Sequence, residues 1–295
     1  MASPAGVRCF HRGEPFEEEE LPSYRAENFY PVQIGHVFNS RYRVVAKLGF
    51  GAGSTVWLCR DQETNSHVAL KLCTLEQRSP GFGALPQAEI EKAVSALFNS
   101  AQVEHPGIRN LRLLSDHFTV KGPRGMHQCL VYPPLGTTLT ELRNLLPGRS
   151  LPKLLLQHTL LLVSLGLDLL HHGGVVHTDL SPNNVLLGVQ DMSVFAQMEQ
   201  AEAERPMARK AAPDRTIYGS RPLPVTTGCP VICDFGAARI GQPGQKYRGD
   251  VMPDCYRAPE VILDMEWDQK IDVWCVGLML WDLFQGSRLF YALKD

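Results

Sequence analysis

The sequence has no C-x-x-C pair, although it carries eight cysteines: Cys9, Cys59, Cys73, Cys129, Cys229, Cys233, Cys255 and Cys275. Thiols scattered in this way argue against a zinc site or a disulfide framework and fit free cysteines in a reducing compartment. Charge of one sign is also lacking, since the net charge is -2. Nothing in that balance draws the chain to nucleic acid or to an anionic membrane, so neither is expected as a direct partner. Long uncharged apolar runs are missing too. Residues 154–170 are interrupted by Gln157, His158, Ser164 and Asp168, and residues 271–284 by Asp272 and Asp282. Neither reaches the ~18 uncharged apolar residues of a membrane span. Residues 1–12 contain no apolar run of the signal-peptide kind. A soluble protein of the cytoplasm and/or nucleus is expected. A last absence is local: no serine or threonine lies between Ile240 and Pro259.

What is present points to an ordered protein. Apolar residues make up 44% and charged residues 20% of 295 positions, enough for a large core in one domain or two lobes. Residues 1–38 read as an N-terminal tail, with Glu17 to Glu20 as a solvated charge block. Strands follow at 41–48, 55–59 and 68–72, a helix at 86–98 with Ile90, Val94 and Leu97 at helical spacing, and a strand at 129–132. From Leu151 the pattern is mainly helical. Strands first and helices second predict an α+β protein: a sheet-rich lobe over 39–132 and a larger, mainly helical lobe over 133–295. Residues 188–230 read as an insertion, with a polar helix-like piece at 192–204.

Four segments carry chemistry. Gly49, Phe50, Gly51, Ala52, Gly53 and Ser54 lie between two strands, where glycine lets backbone N–H groups approach phosphates. A plain glycine-rich hairpin would look the same. Lys71 ends Val68-Ala-Leu-Lys on the next strand. It reads either as an edge lysine facing water or as an inward clamp on ATP phosphates, paired with a helix carboxylate. Glu89 is the preferred partner and Glu91, on another helix face, the fallback. In His177-Thr-Asp179-Leu-Ser-Pro-Asn-Asn184, Asp179 and Asn184 can face one cleft as proton acceptor and metal ligand. A solvated turn is the bland alternative. Asp234 closes an apolar strand at Asp-Phe-Gly, where a carboxylate can hold Mg²⁺ against phosphate oxygens. Tyr256-Arg-Ala-Pro-Glu260 and Asp272-Val-Trp-Cys-Val-Gly277 follow in order.

In this order the motifs resemble those of the eukaryotic protein kinases, from about residue 40 to 290. The flank at 30–42, Ser54-Thr-Val-Trp-Leu-Cys59, His177-Thr-Asp179 and Pro253-Asp-Cys-Tyr-Arg-Ala-Pro-Glu260 resemble the SR-protein kinases, in particular a fungal branch. The resemblance implies a two-lobed fold, ATP and Mg²⁺ as cofactors, and an arginine/serine-rich protein as substrate. It implies Asp179 as catalytic base, Asn184 and Asp234 as Mg²⁺ ligands, and Lys71 on the α/β-phosphates with Glu89. It implies Leu48, Val56 and Ala69 around the adenine, Tyr132 as gatekeeper, and the Pro133 carbonyl with the Leu135 N–H and carbonyl as the hinge.

The chain also departs from the family pattern. Thr178 replaces the arginine that usually meets a loop phosphate, which agrees with the missing loop serine and threonine and implies activation without loop phosphorylation. Ser181 and Pro253 replace a lysine–threonine pair near the transferred phosphoryl group. The pattern stops after the helix at 272–283, where the family has three further helices. They bring the arginine that pairs with Glu260 and much of the substrate-docking groove. Two readings follow. One is an active serine/threonine kinase for arginine/serine-rich proteins. The other is a truncated, kinase-like module that binds nucleotide or a partner without turnover. Tyr256-Arg-Ala-Pro-Glu260 disfavours a small-molecule phosphotransferase.

Overall fold

The computed structural model describes residues 10, 13–75, 85–100 and 104–291. Cys9 and nearly all of the 1–12 stretch lie outside the described residues. The chain divides into two compact units, each drawn from separated stretches. The first comprises the described residues of Met1–Gly83, Leu114–Pro134 and Asp191–Pro224. The second comprises those of Ala84–Leu113, Leu135–Gln190 and Val225–Asp295.

The first unit is built on six antiparallel strands. They are β1 (Val37–Phe38), β2 (Tyr42–Gly51), β3 (Ser54–Asp61), β4 (Ser66–Cys73), β5 (Asp116–Lys121) and β6 (Met126–Tyr132), in the spatial order β1-β2-β3-β4-β6-β5. Glycine lets β2 turn straight into β3, with Gly51 opposite Ser54. Irregular register between Val44 and Ala46, and again between Lys47 and Gly49, bends β2 as it approaches the turn. The core on one face joins Trp57, Cys59, Leu70, Leu72, Cys129 and Val131. Strand β5 is absent from the sequence reading. Its alternating half-buried and exposed residues carry too weak an apolar signal for a strand at the sheet edge.

The expected insertion belongs to this unit over 191–224. It forms α4 (Ser193–Glu204) and a small hairpin of β9 (Arg209–Ala211) and β10 (Thr216–Tyr218). Phe195 and Met198 are buried on one face of α4, and Glu199 reaches Arg43 of β2 at 2.6 Å. The expectation for Glu17 to Glu20 is corrected. This run forms a tight 3₁₀ turn in which Glu18 is buried, because lysines of β2 and β9 turn toward it.

The second unit is mainly helical: α1 (Gln87–Ser100), α2 (Leu139–Leu145), α3 (Lys153–His172), α5 (Pro259–Ile262) and α6 (Lys270–Gln285). Short antiparallel pairs join β8 (Val185–Leu187) to β11 (Pro230–Ile232) and β7 (Val175–Val176) to β12 (Arg239–Ile240). Helix α2 starts on a capping box, in which Thr138 and Glu141 each bond the other's backbone N–H, at 3.1 and 2.9 Å. Gly286 ends α6 in the left-handed conformation. By length and composition α3 could cross a membrane, with a mean hydropathy of 1.5, which exceeds the sequence expectation. Its residues Leu156, Val163, Leu167, Leu169 and Leu170 lie in the unit's core with Phe98, Val185, Ile271 and Met279.

Candidate active site

In the first unit the expected nucleotide residues share one face of the sheet. Register places Gly49 opposite Val56, Val56 opposite Lys71, and Ala69 opposite Tyr132. Residues two apart on a strand point the same way, so Val56, Ala69, Lys71 and Tyr132 form one patch. Ala69 and Tyr132 are buried, and Leu48 and Val56 are half-buried. A Cβ added at Gly49 or Gly51 would meet no atom of the chain within 4 Å. No internal packing therefore demands glycine there; what glycine leaves is open backbone, as an approaching phosphate requires.

In the second unit the loop after β7 and the end of β11 come together. Asn184 donates its amide nitrogen to the Asp179 carbonyl oxygen at 2.7 Å and to Asp179 Oδ2 at 2.9 Å. The Asn184 carbonyl accepts from the Cys233 N–H at 2.8 Å, which ties this loop to Asp234. Burial pushes the Asp179 carboxyl above its ordinary value, and the negative charge of Asp234 pushes the same way. His177 and the Asn184 hydrogen bond oppose that rise. A carboxylate whose pKa is raised accepts a proton more readily than an exposed aspartate.

Two residues in this region adopt left-handed backbone: Thr178 (φ 67°) and Asp234 (φ 63°). Aspartate tolerates that region, but a β-branched threonine does so only under constraint. The constraint is Asp272 on α6, which is fully buried. Its carboxylate accepts from the His177 N–H at 2.8 Å, the Thr178 N–H at 3.0 Å and His171 Nε2 at 2.9 Å. The Thr178 hydroxyl donates to the Ala237 carbonyl at 2.8 Å, fixing the segment just past Asp-Phe-Gly. Sequence reasoning placed Asp272 in a core helix and missed this role; a carboxylate in an otherwise apolar helix was the available signal.

The two candidate glutamates of α1 face different ways. Glu89 bonds to Lys92 on the next turn, and its side chain is 40% exposed. Glu91 is buried at 2% exposure, and its Oε1 lies 3.3 Å from where a Gly236 Cβ would stand. Two residues on a helix are about 200° apart, so only one of these glutamates can face inward. The buried stripe runs through Gly236's neighbour Glu91 to Val94 and Phe98, and leaves Leu97 at 39% exposure.

The donor set suits a divalent cation that arrives with phosphate. Asn184 spends its amide nitrogen on Asp179, leaving its side-chain oxygen for a metal, and Asp234 supplies a carboxylate. Among the described residues no group of three or more His, Cys, Asp or Glu could hold a metal unaided. Mg²⁺ commonly takes one or two carboxylates and completes its shell with phosphate and water. Beside Asp179 a cleft of about 380 Å³ is lined by Thr178, Ala237, Arg239, Asp250, Val251, Met252 and Pro253. Ser181 is buried, and its carbonyl accepts from the Asn184 N–H at 2.9 Å.

Comparison with known proteins agrees with this geometry. Residues 42–295 match the Protein kinase domain family. A serine/threonine protein kinase of Aspergillus fumigatus is 40% identical over 282 residues, covering 93% of this chain and 65% of that protein. The serine/threonine-protein kinase SRPK of Physarum polycephalum is 30% identical over 300 residues, covering 94% and 68%. Human SRSF protein kinase 3 is 35% identical over 216 residues, covering 72% and 37%. The chain thus spans just under two thirds of the length of the Aspergillus relative. With the match across both units and these identities, the chain belongs to the protein kinase domain family, and SRPK-type serine/threonine kinases are among its relatives.

Proposed function

We propose that this chain carries the catalytic machinery of an ATP-dependent serine/threonine protein kinase, using Mg²⁺ and acting on arginine/serine-rich proteins. The supporting observation is the convergence of Asp179, Asn184 and Asp234, with Asn184 bonded directly to Asp179. On this reading Asp179 Oδ accepts the proton of the substrate hydroxyl. The Asn184 side-chain oxygen and Asp234 hold the metal, which neutralises charge on the phosphates. Lys71 and the open backbone at 49–54 hold the nucleotide, with Leu48, Val56 and Ala69 against the base. Of the two α1 glutamates, the buried Glu91 suits a lysine's partner better than the exposed Glu89. The hinge roles of Tyr132, Pro133 and Leu135 stay as the resemblance implies. Leu135 packs on Leu186, Val231 and Cys233.

Two observations favour activity that does not await loop phosphorylation. The Thr178 hydroxyl already ties down the segment after Asp-Phe-Gly. Of the two loop tyrosines, Tyr256 is buried and donates to Asp282 at 2.6 Å, and Tyr247 stacks on Trp267. The substrate class follows the relatives' names.

Transfer of labelled phosphate from ATP to an Arg-Ser repeat peptide, run beside Asp179→Ala, tests the proposal. Incorporation in the wild type alone, lost when the arginines are replaced by alanine, is the expected result. Nucleotide binding without transfer would replace the proposal with the kinase-like binding module.

A further inference from the structure

The sheet of the first unit carries two lysines on opposite faces. Lys71 stands opposite Val56, whereas Lys47 stands opposite Trp57, which in turn stands opposite Leu70. Because side chains alternate along a strand, Lys47 points away from the face that bears Ala69 and Lys71. Its side chain is fully buried, two residues before Gly49. A buried ammonium is tolerated only when paired and hydrogen-bonded.

The partners come from distant parts of the sequence. Lys47 Nζ bonds Glu18 and reaches Glu17 at 3.3 Å, 29 and 30 positions earlier, and donates to the Tyr218 carbonyl at 3.0 Å, 171 positions later. Glu17 is itself fixed by Ser220, whose N–H and hydroxyl donate to it at 2.8 and 2.6 Å. The Arg221 N–H donates to the Lys47 carbonyl at 2.9 Å. Lys210 bonds Glu19 at 2.7 Å and the Glu14 carbonyl at 2.6 Å, joining the two partner segments to each other.

Backbone contacts hold the tip of the glycine hairpin: its ladder pairs to Gly51 and Ser54, and the Thr74 N–H and hydroxyl donate to the Gly53 carbonyl at 2.9 and 3.3 Å. Side chains at Gly49 and Gly51 would touch nothing, and Phe50 is 37% exposed. The β2 ladder is irregular between Lys47 and Gly49, so the strand can pivot there. The Phe50 ring sits 4.9 Å from Lys47 Nζ, which ties the tip to the same ammonium. We infer that Lys47, Glu17 and Glu18 form a charge clasp that positions the glycine hairpin, so that residues 14–20 and 209–221 set the affinity for nucleotide. Lys47 is a positioning residue and does not touch the nucleotide. The inference rests on the nucleotide reading of residues 49–54.

The test compares Glu17→Gln/Glu18→Gln with the triple variant that adds Lys47→Met. Removing the carboxylates strands the ammonium, and methionine then removes the stranded charge. The pair variant is expected to raise KM for ATP roughly tenfold with kcat within about twofold. Backbone amide exchange over 42–61 should accelerate while that of α3 is unchanged. The triple variant should recover KM to within about threefold of wild type. Unchanged KM and exchange in the pair variant would overturn the inference. So would a triple variant as impaired as the pair, or faster exchange throughout α3. If the pair does not fold, Glu17→Gln alone, which removes the longer contact, gives the same readouts. Absence of ATP binding in the wild type would defeat the kinase proposal, while exchange over 42–61 still decides the clasp.

Discussion

The two units hold their chemistry in place by different means. In the helical unit one buried carboxylate, Asp272, gathers two N–H donors from the loop it orients and a ring nitrogen from α3. In the sheet unit one buried ammonium, Lys47, gathers carboxylates from a segment that precedes the sheet and a carbonyl from an insertion far along the chain. The first arrangement lies wholly within the elements that form the site. The second depends on segments that read as a tail and an insertion. The catalytic loop should therefore survive changes at the chain's periphery, and the glycine hairpin should not.

The largest effect is expected where the comparison is sharpest. Asp272→Ala orphans two buried N–H groups at His177 and Thr178, each worth about 1–3 kcal/mol. Urea denaturation of the variant should show a loss of several kcal/mol, or no folded second unit. A loss under about 1 kcal/mol would show that water or a neighbour replaces the carboxylate.

Next is the acidic limb of activity. Asp179 has a raised pKa, and the base form is required, so kcat/KM should fall on acidification at a pH above the usual aspartate value of about 3.9. Asn184 opposes the rise, so Asn184→Leu should move this limb to still higher pH. For stability the sign is reversed from the common carboxylate case. The folded state binds the Asp179 proton more tightly than the unfolded chain, so this group's contribution diminishes as pH rises through its folded pKa. In Asp179→Asn that part of the pH dependence should disappear from thermal melts.

The smallest effect belongs to Thr178→Val, which keeps the shape and removes the hydrogen bond to Ala237. A loss of about 1 kcal/mol is expected, with faster amide exchange near 237–240 and a modest drop in kcat. Full retention of both would mean that the hydroxyl does not hold this segment.

The uneven legibility of the sequence has the same physical origin. Glycine runs, Asp179, Asn184 and Asp234 announce themselves because their chemistry requires fixed spacing on loops and strand ends. Helix α6 was readable from its apolar density. The glutamate on α1 was ambiguous, because Leu97 and Phe98 compete to define the apolar stripe and the choice rotates the face by 100°. Phe98 wins, and Glu91 turns inward. The clasp was not readable at all. Four consecutive glutamates are usually a solvated block, and their partners Lys47 and Lys210 sit in strands that local patterning cannot bring to them. Strand β5 escaped for a related reason, since an edge strand buries too little to show a strong apolar pattern.

The central claim is that Asp179 accepts the substrate proton beside a metal held by Asn184 and Asp234. Single-turnover phosphoryl transfer from ATP by Asp179→Asn, with ATP affinity measured on the same sample, tests it most directly. The account predicts a transfer rate lower by about 10²–10⁴-fold at nearly unchanged affinity. Transfer at the wild-type rate would contradict it.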